Sequence, residues 1–205
     1  MTLLRNITPK PAGALGHFSL GTFTGIIPAA LTANSEIFQF RWSSTDKLAV
    51  IDSVLISASV TTTMFAAGVP VQVDMVKSTG WTVAGTGGTA YTPSTFGKRR
   101  SSVMQSSVIT AGDVRTATTA ALGAGTKTLE SNSLSTLLAA GPITASLNGA
   151  IFPPNTVLFD SRLESGNSPL ILEANEGFSI RSVAVPATGT WQVAVRVNWS
   201  EVGSY

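Results

Sequence analysis

From Thr190 to Trp199 the chain alternates between two kinds of residue. Trp191, Val193, Val195, Val197 and Trp199 are large and apolar, whereas Gln192, Ala194, Arg196 and Asn198 are small or polar. Successive side chains on a strand point to opposite faces, so this alternation predicts a core strand with one apolar face. Glu36 to Trp42 repeats the pattern, with Phe38, Phe40 and Trp42 alternating with Ile37, Gln39 and Arg41. Leu48 to Thr63 is apolar in stretches on both sides, which places it centrally in a sheet. Further strands are predicted over 70–77, 157–163, 169–173 and 178–185. Turns are expected at 43–47 and at Ala174–Gly177, where Asn175 and Gly177 suit positive φ, and a hairpin is expected to close at Pro186–Gly189. The total is about eight core strands with no long amphipathic helix. The predicted fold is an all-β, jelly-roll-like antiparallel β-sandwich, with an immunoglobulin-like sandwich as the runner-up. Its core is expected to set Trp191, Val193, Val195, Val197 and Trp199 against Phe38, Phe40 and Trp42 or Leu170 and Leu172, with Phe178 alongside.

Two segments break the strand rhythm. Residues 1–34 are punctuated by Pro9, Pro11 and Pro28 and by four glycines. They read as an extended N-terminal arm, carrying one short strand around Phe18 to Phe23 and ordered mainly by a neighbouring subunit. A single β-sandwich domain then spans 35–205. Within it, 85–146 is an excursion dominated by Gly, Ser, Thr and Ala, packed on the sandwich or reaching to a neighbour. A strand is expected over Val114–Leu122. Ser133–Gly141 reads as a short helix capped by Ser133 and stopped by Gly141.

Composition agrees with an all-β chain and adds a hint about context. Of the 205 residues 12% are charged and 43% hydrophobic, with 19 Gly and 10 Pro. A surface with so few charges is expected to be covered in an assembly. The net charge of +2 is too small to argue for nucleic acid. Absence of Cys removes disulfides and thiolate chemistry. Arg5, Asn6 and Lys10 interrupt any apolar leader, and no run approaches the roughly 18 apolar residues of a membrane span. The expectation is a soluble product made in a cytoplasm.

Candidate chemistry is sparse. His17, the one histidine, sits in the arm and reads as a polar surface residue. Glu173 and Glu176 flank a turn and would need Asp160 or Glu164 to hold a hard cation, yet no calcium-loop pattern surrounds them. Gly85-Thr86-Gly87-Gly88 lacks the Lys and helix of a phosphate loop. No cofactor is expected. Lys98-Arg99-Arg100 is the sharpest charge cluster. With Arg115 and Lys127 it gives the excursion five cations against Asp113 and Glu130, a net of +3. These five are the candidate contacts to a protein partner, since a nucleic-acid surface needs a broader basic stripe. Trp81 and Tyr91 would be the sugar platforms of an alternative, carbohydrate-binding jelly roll.

In the C-terminal half the segments RTATTAAL with GAGTKTL, SPLILEANEGFSIR and TGTWQVAVRVNWSEV resemble virion structural proteins of tailed bacteriophages. They are similar to the small β-sandwich proteins that decorate or cement the icosahedral capsid. The resemblance runs from Arg115 to the C-terminus and implies a non-enzymatic virion component on the capsid exterior. Its implied partners are the major capsid protein and further copies of itself, most simply a trimer, with no nucleic acid and no membrane. A tail or fibre protein, or a carbohydrate-binding module used in host attachment, is the alternative.

Overall fold

The computed structural model describes residues 14–28, 31–63, 65, 70–99, 104–139, 150–163, 168–184 and 188–203. These residues form fourteen strands and one 3-10 turn at Pro93–Thr95. The strands are β1 (Ala14–Phe23), β2 (Ile27–Pro28), β3 (Ser35–Trp42), β4 (Leu48–Val60), β5 (Val71–Val83), β6 (Thr89–Ala90) and β7 (Gly97–Lys98). They continue as β8 (Val114–Thr116), β9 (Thr126–Leu129), β10 (Ser135–Ala139), β11 (Ala150–Asp160), β12 (Leu170–Leu172), β13 (Glu176–Ala184) and β14 (Thr190–Val202). The first sheet runs β11-β4-β14-β1-β7, with β12 beside β4 and β2 beside β14. The second runs β10-β5-β13-β3-β8-β6, with β9 beside β5.

The pairing is nested. β1 pairs with β14, β3 with β13, β4 with β11 and β5 with β10, all antiparallel. Folding one long antiparallel hairpin over itself puts its pairs alternately in two sheets, which is the jelly-roll wind and not the immunoglobulin order. A consequence is that β13 and β14 lie in different sheets, so they do not form the expected hairpin. The alternation within each strand places the core. Trp191, Val193, Val195, Val197 and Trp199 are all buried, as are Phe38, Phe40, Trp42, Leu172 and Phe178, while Leu170 is partly buried at the margin.

Trp199 is the hub between the layers. Its ring stacks on Phe18 of β1 at 5.6 Å, meets Phe40 of β3 edge-on at 5.4 Å and meets Phe96 edge-on at 5.0 Å. Phe40 stacks in turn on Phe178 at 5.3 Å. Offset and edge-to-face rings add roughly 0.5–1.5 kcal/mol per pair beyond their area burial. The cluster therefore ties the first strand, the last strand, the second sheet and the 85–146 segment together at one point.

Further expectations change. Residues 14–23 belong to the sandwich rather than to an arm, because β1 pairs with β14 from Ala14 to Phe23 and buries Phe18 and Leu20; residues 1–13 lie outside the described residues. The helix expected from Ser133 is a strand. Thr126 to Ala139 lies along β5 as β9 and β10, interrupted at 130–134, and Ser133 Oγ donates to Asp74 Oδ2 at 2.6 Å instead of capping. The strand expected over Val114–Leu122 is confined to β8. At the Asn175 turn, Asn175 has φ 62°. Gly177 is required for a different reason from the one expected, since a Cβ there would meet the Phe40 carbonyl oxygen at 2.2 Å.

Trp199→Ala is expected to cost about 3–5 kcal/mol, read as a lowered urea midpoint at unchanged m-value. Deleting residues 1–23 removes the strand that pairs with β14, so the cooperative unfolding transition should vanish. A truncated protein that still unfolds cooperatively would return this segment to the status of an arm.

Candidate functional site: the open face of the first sheet

The two outer faces are treated differently by the chain. Over the second sheet, the loops 84–88 and 121–125 lie across Gln39, and the Thr86–Gly123 bridge holds them together. Gln39 Nε2 donates to the Gly123 carbonyl at 3.1 Å and to Glu36 Oε2 at 2.7 Å. Lys127 Nζ donates to the same carboxylate oxygen at 2.5 Å and to Ser179 Oγ at 3.1 Å, and sits 3.8 Å from the centre of the Trp81 ring. The Lys127 side chain is 2% exposed. Burial pushes its ammonium below the ordinary lysine range, while the hydrogen bond and charge of Glu36 pull it back up. The functional reading of Lys127 as a partner contact is thus overturned: its charge is spent inside the fold.

Other expected cations are also committed. Arg115 Nε donates to the Gly112 carbonyl at 3.0 Å and Nη1 to the Gly87 carbonyl at 2.8 Å, stapling two loops. Arg41, which the sequence reading left as an alternating polar residue, proves to be the busiest staple. It binds Asp113 Oδ1 at 2.7 Å, the Trp81 carbonyl at 2.6 Å and Asn175 Oδ1 at 3.2 Å. Lys98 and Arg99 stay exposed on and beside β7, where Lys98 Nζ donates to the Met104 carbonyl and the Arg99 amide to the His17 carbonyl. Arg100 lies outside the described residues. Of the five cations, the structure therefore keeps Lys98 and Arg99 together at the β7 edge and separates them from Arg115 and Lys127.

Glu201 anchors the remaining loop. Its carboxylate accepts from Ser107 Oγ at 2.5 Å, the Val108 amide at 3.1 Å and Trp199 Nε1 at 3.2 Å. Burial raises its pKa above the ordinary value, against the lowering effect of these three donors. Glu173 and Glu176 do not converge on a cation position. Glu176 bonds the Glu173 amide at 2.9 Å and pairs with Lys77 at 3.1 Å, while Asp160 pairs with Arg162. The Arg162 hydrogen bond holds the Asp160 carboxyl below its ordinary range. Among the described residues no group of three His, Asp or Glu side chains is placed to hold a metal. Trp81 is buried, and Tyr91 is half-buried with its hydroxyl bonded to Thr22 Oγ1, so neither offers a sugar a free ring face.

The outer face of the first sheet is exposed at one end, around Phe23 and Arg196, and buried at the other, at Asn198, Ser53 and Asp160. Register lines up three rows across its strands. Phe23, Ala194 and Ser57 form one, Gly21, Arg196, Leu55 and Val157 the next, and Ser19, Asn198, Ser53 and Asp160 the third. The face is graded. At one end Phe23 stands 68% exposed between two shallow depressions of about 210 and 270 Å³, lined by small groups such as Gly21, Ser57, Ser59 and Ala194. At the other end the face is polar and bonded: His17 Nδ1 lies 2.9 Å from Ser200 Oγ, Ser200 Oγ donates to Asp52 Oδ2 at 3.1 Å, and Asn198 Nδ2 donates to Ser53 Oγ at 2.8 Å. The serine stands between the histidine and the carboxylate, so the histidine is not oriented by the acid as a nucleophile's base would be. The sequence reading missed this face because its signal lay in the polar half of each strand, where small residues at every second position look like ordinary solvent contacts.

A scan against protein-family models, a search of curated proteins and a search of solved structures each return no match for this chain. Among the described residues no helix is long and apolar enough to cross a membrane.

Lys127→Ala should destabilise the fold by about 3–5 kcal/mol, because Glu36 is left buried without its counter-ion. Lys127→Met combined with Glu36→Gln should recover most of that loss. For Glu201 the folded pKa lies above the unfolded one, so its contribution is fully present below the ordinary glutamate range near 4.5 and lost as pH rises through the folded value. Glu201→Gln should therefore flatten the decline in thermal stability over that interval; an unchanged slope would assign the decline to another group.

Proposed function

We propose that this chain is a structural virion protein that binds the outside of a bacteriophage capsid and stabilises the shell by bridging its subunits. The observation that carries the reading is the use the fold makes of its charges. Glu36 with Lys127, Arg41 with Asp113, and Glu201 with Ser107 and Val108 all fasten loops of the 85–139 segment to the sandwich. A long segment fixed at that many points is a rigid extension, not a lid that opens and closes over a substrate. Rigid blocks with a partly exposed face suit an assembly in which modest contacts are repeated by symmetry. The resemblance of the C-terminal segments to phage decoration proteins supplies the particular assembly.

Lys98 and Arg99 on the β7 edge, next to the polar end of the open face, are the contacts proposed for the shell. Two cations give salt-sensitive steering and register, with the remainder of the affinity coming from neutral surface. Particles lacking the protein should form yet fail earlier under heat or osmotic shock, and Lys98→Glu with Arg99→Glu should weaken rebinding in low salt more than in high salt. Particles that are equally robust without the protein but do not adsorb to their host would move it to the alternative role in attachment.

A further inference from the structure

Three strands bring an amine, an amide and a carboxyl group together on the outer side of the second sheet. Glu36 and Gln39 lie on β3, Ser179 on β13 and Lys127 on β9. Glu36 Oε2 is their common point. It accepts from Lys127 Nζ at 2.5 Å, from Gln39 Nε2 at 2.7 Å and from Ser179 Oγ at 2.7 Å. Glu36 and Gln39 reach the same side of β3, although three residues apart, because the β3–β13 register shifts between Phe38 and Glu36. Since Nζ and Nε2 donate to one oxygen, they stand no more than about 5 Å apart. The group is shielded from water: Gln39 and Ser179 are buried, the Lys127 side chain is 2% exposed, and the Trp81 ring covers the amine. The Gln39 amide is held through its nitrogen alone. Nε2 also donates to the Gly123 carbonyl at 3.1 Å, whereas Oε1 is buried with no hydrogen-bond partner among the described residues.

We propose that Lys127 and Gln39 join covalently, the lysine amine displacing the glutamine amide nitrogen while Glu36 carries the protons. The ion pair of Glu36 and Lys127 is the state that precedes this bond. Lys127 first passes one ammonium proton to Glu36 Oε2, a transfer favoured by burial, which already lowers the lysine pKa. The neutral Nζ then attacks Gln39 Cδ, and the carbonyl electron pair moves onto Oε1. Glu36 hands its proton to Nε2 and takes a second one from Nζ. As the carbonyl re-forms, the Cδ–Nε2 bond breaks and ammonia leaves. Nζ keeps one hydrogen as a secondary amide, and Glu36 ends protonated. Both charges of the buried pair are thereby lost, and with them the cost of keeping an ion pair out of water. Placement supplies the rate. Groups fixed about 3–3.5 Å apart react with effective molarities of about 10⁵–10⁸ M, and a shift of the amide by about 2 Å closes that distance. The bond ties β3 to β9, so the 85–139 segment is fastened to the second sheet covalently. The inference concerns the isolated chain and holds whatever the chain binds.

Mass spectrometry of the purified full chain, intact and after digestion, tests it. The chain should weigh about 17 Da less than its sequence, the mass of one ammonia, with the loss located in a branched peptide joining Gln39 to Lys127. Lys127→Arg keeps a cation beside Glu36 but has no primary amine, and Gln39→Met keeps the bulk without the amide. Each should retain its full sequence mass. Glu36→Gln should leave Gln39 unlinked, because the proton carrier is gone while the hydrogen-bonding oxygen remains. A wild-type chain that holds its full mass after several days at neutral pH overturns the proposal. So does a loss of about 17 Da mapped to other residues, or one of about 18 Da, a water, joining Lys127 to Glu36. A Gln39–Lys127 link that persists in Glu36→Gln overturns the role given to Glu36.

Discussion

The fold depends on the pairing of its first strand with its last. β1 and β14 lie 183 residues apart at the His17–Ser200 contact, and the aromatic cluster of Phe18, Trp199, Phe40 and Phe96 forms where they meet the second sheet. Closing so long a loop costs entropy before any contact is gained. The compensation is concentrated, because a single ring in β14 touches β1, β3 and the loop before β7. Every inner pair of the nested wind is then held within a closed frame. A jelly roll of this kind has few local contacts to build on, so folding slower than that of a helical domain is a natural consequence.

The second constraint is buried charge. A lysine and a glutamate removed from water are expensive, and their attraction offsets that cost only when the remaining donors and acceptors are also satisfied. Ser179 and Gln39 serve Glu36, while Ser179 and the Trp81 ring serve Lys127. The same groups bring β9 and the 121–125 loop down onto the second sheet. The second sheet is therefore covered by the chain itself, whereas among the described residues the Phe23 end of the first sheet's outer face stays exposed. The asymmetry between faces, which gives the molecule its candidate interaction surface, is an electrostatic product of a few residues in the 85–139 segment.

Core strands were legible because their period-two patterns are strong: nothing but a strand sets Trp191, Val193, Val195, Val197 and Trp199 on one side. The nested pairing was less so, since alternation states which face is buried and not which strand lies alongside. Ser133 to Gly141 misled because Leu137, Leu138 and Ala139 in succession have no strict alternation, and a Ser before and a Gly after mimic helix ends. In the structure β10 pairs with β5 while Leu138 stays exposed, so tertiary pairing overrides local propensity. Residues 14–23 misled in the opposite sense. Gly16 and Gly21 look like breaks, yet Gly16 lies at a bulge in the β1–β14 register and Gly21 opens the hollow beside Arg196. Lys127 was unreadable as a buried ion because its partner Glu36 is 91 residues distant.

The open face also explains why so few charges suffice on this chain. Charge on a soluble surface chiefly prevents unwanted association. Here the outer residues of β14 run Gln192, Ala194, Arg196, Asn198, Ser200, and those of β4 run Ser53, Leu55, Ser57, Ser59, so one guanidinium stands among small neutral groups. Small neutral side chains keep the sheet flat and cost little entropy when covered, which favours close approach of another surface over solvation by water. Phe23 rises at the exposed end of that face, while the polar end, where His17 Nδ1 meets Ser200 Oγ and Ser200 Oγ donates to Asp52, is buried. The alternation that buries Trp199 on one side of β14 sets the exposed Arg196 and the buried Asn198 on the other.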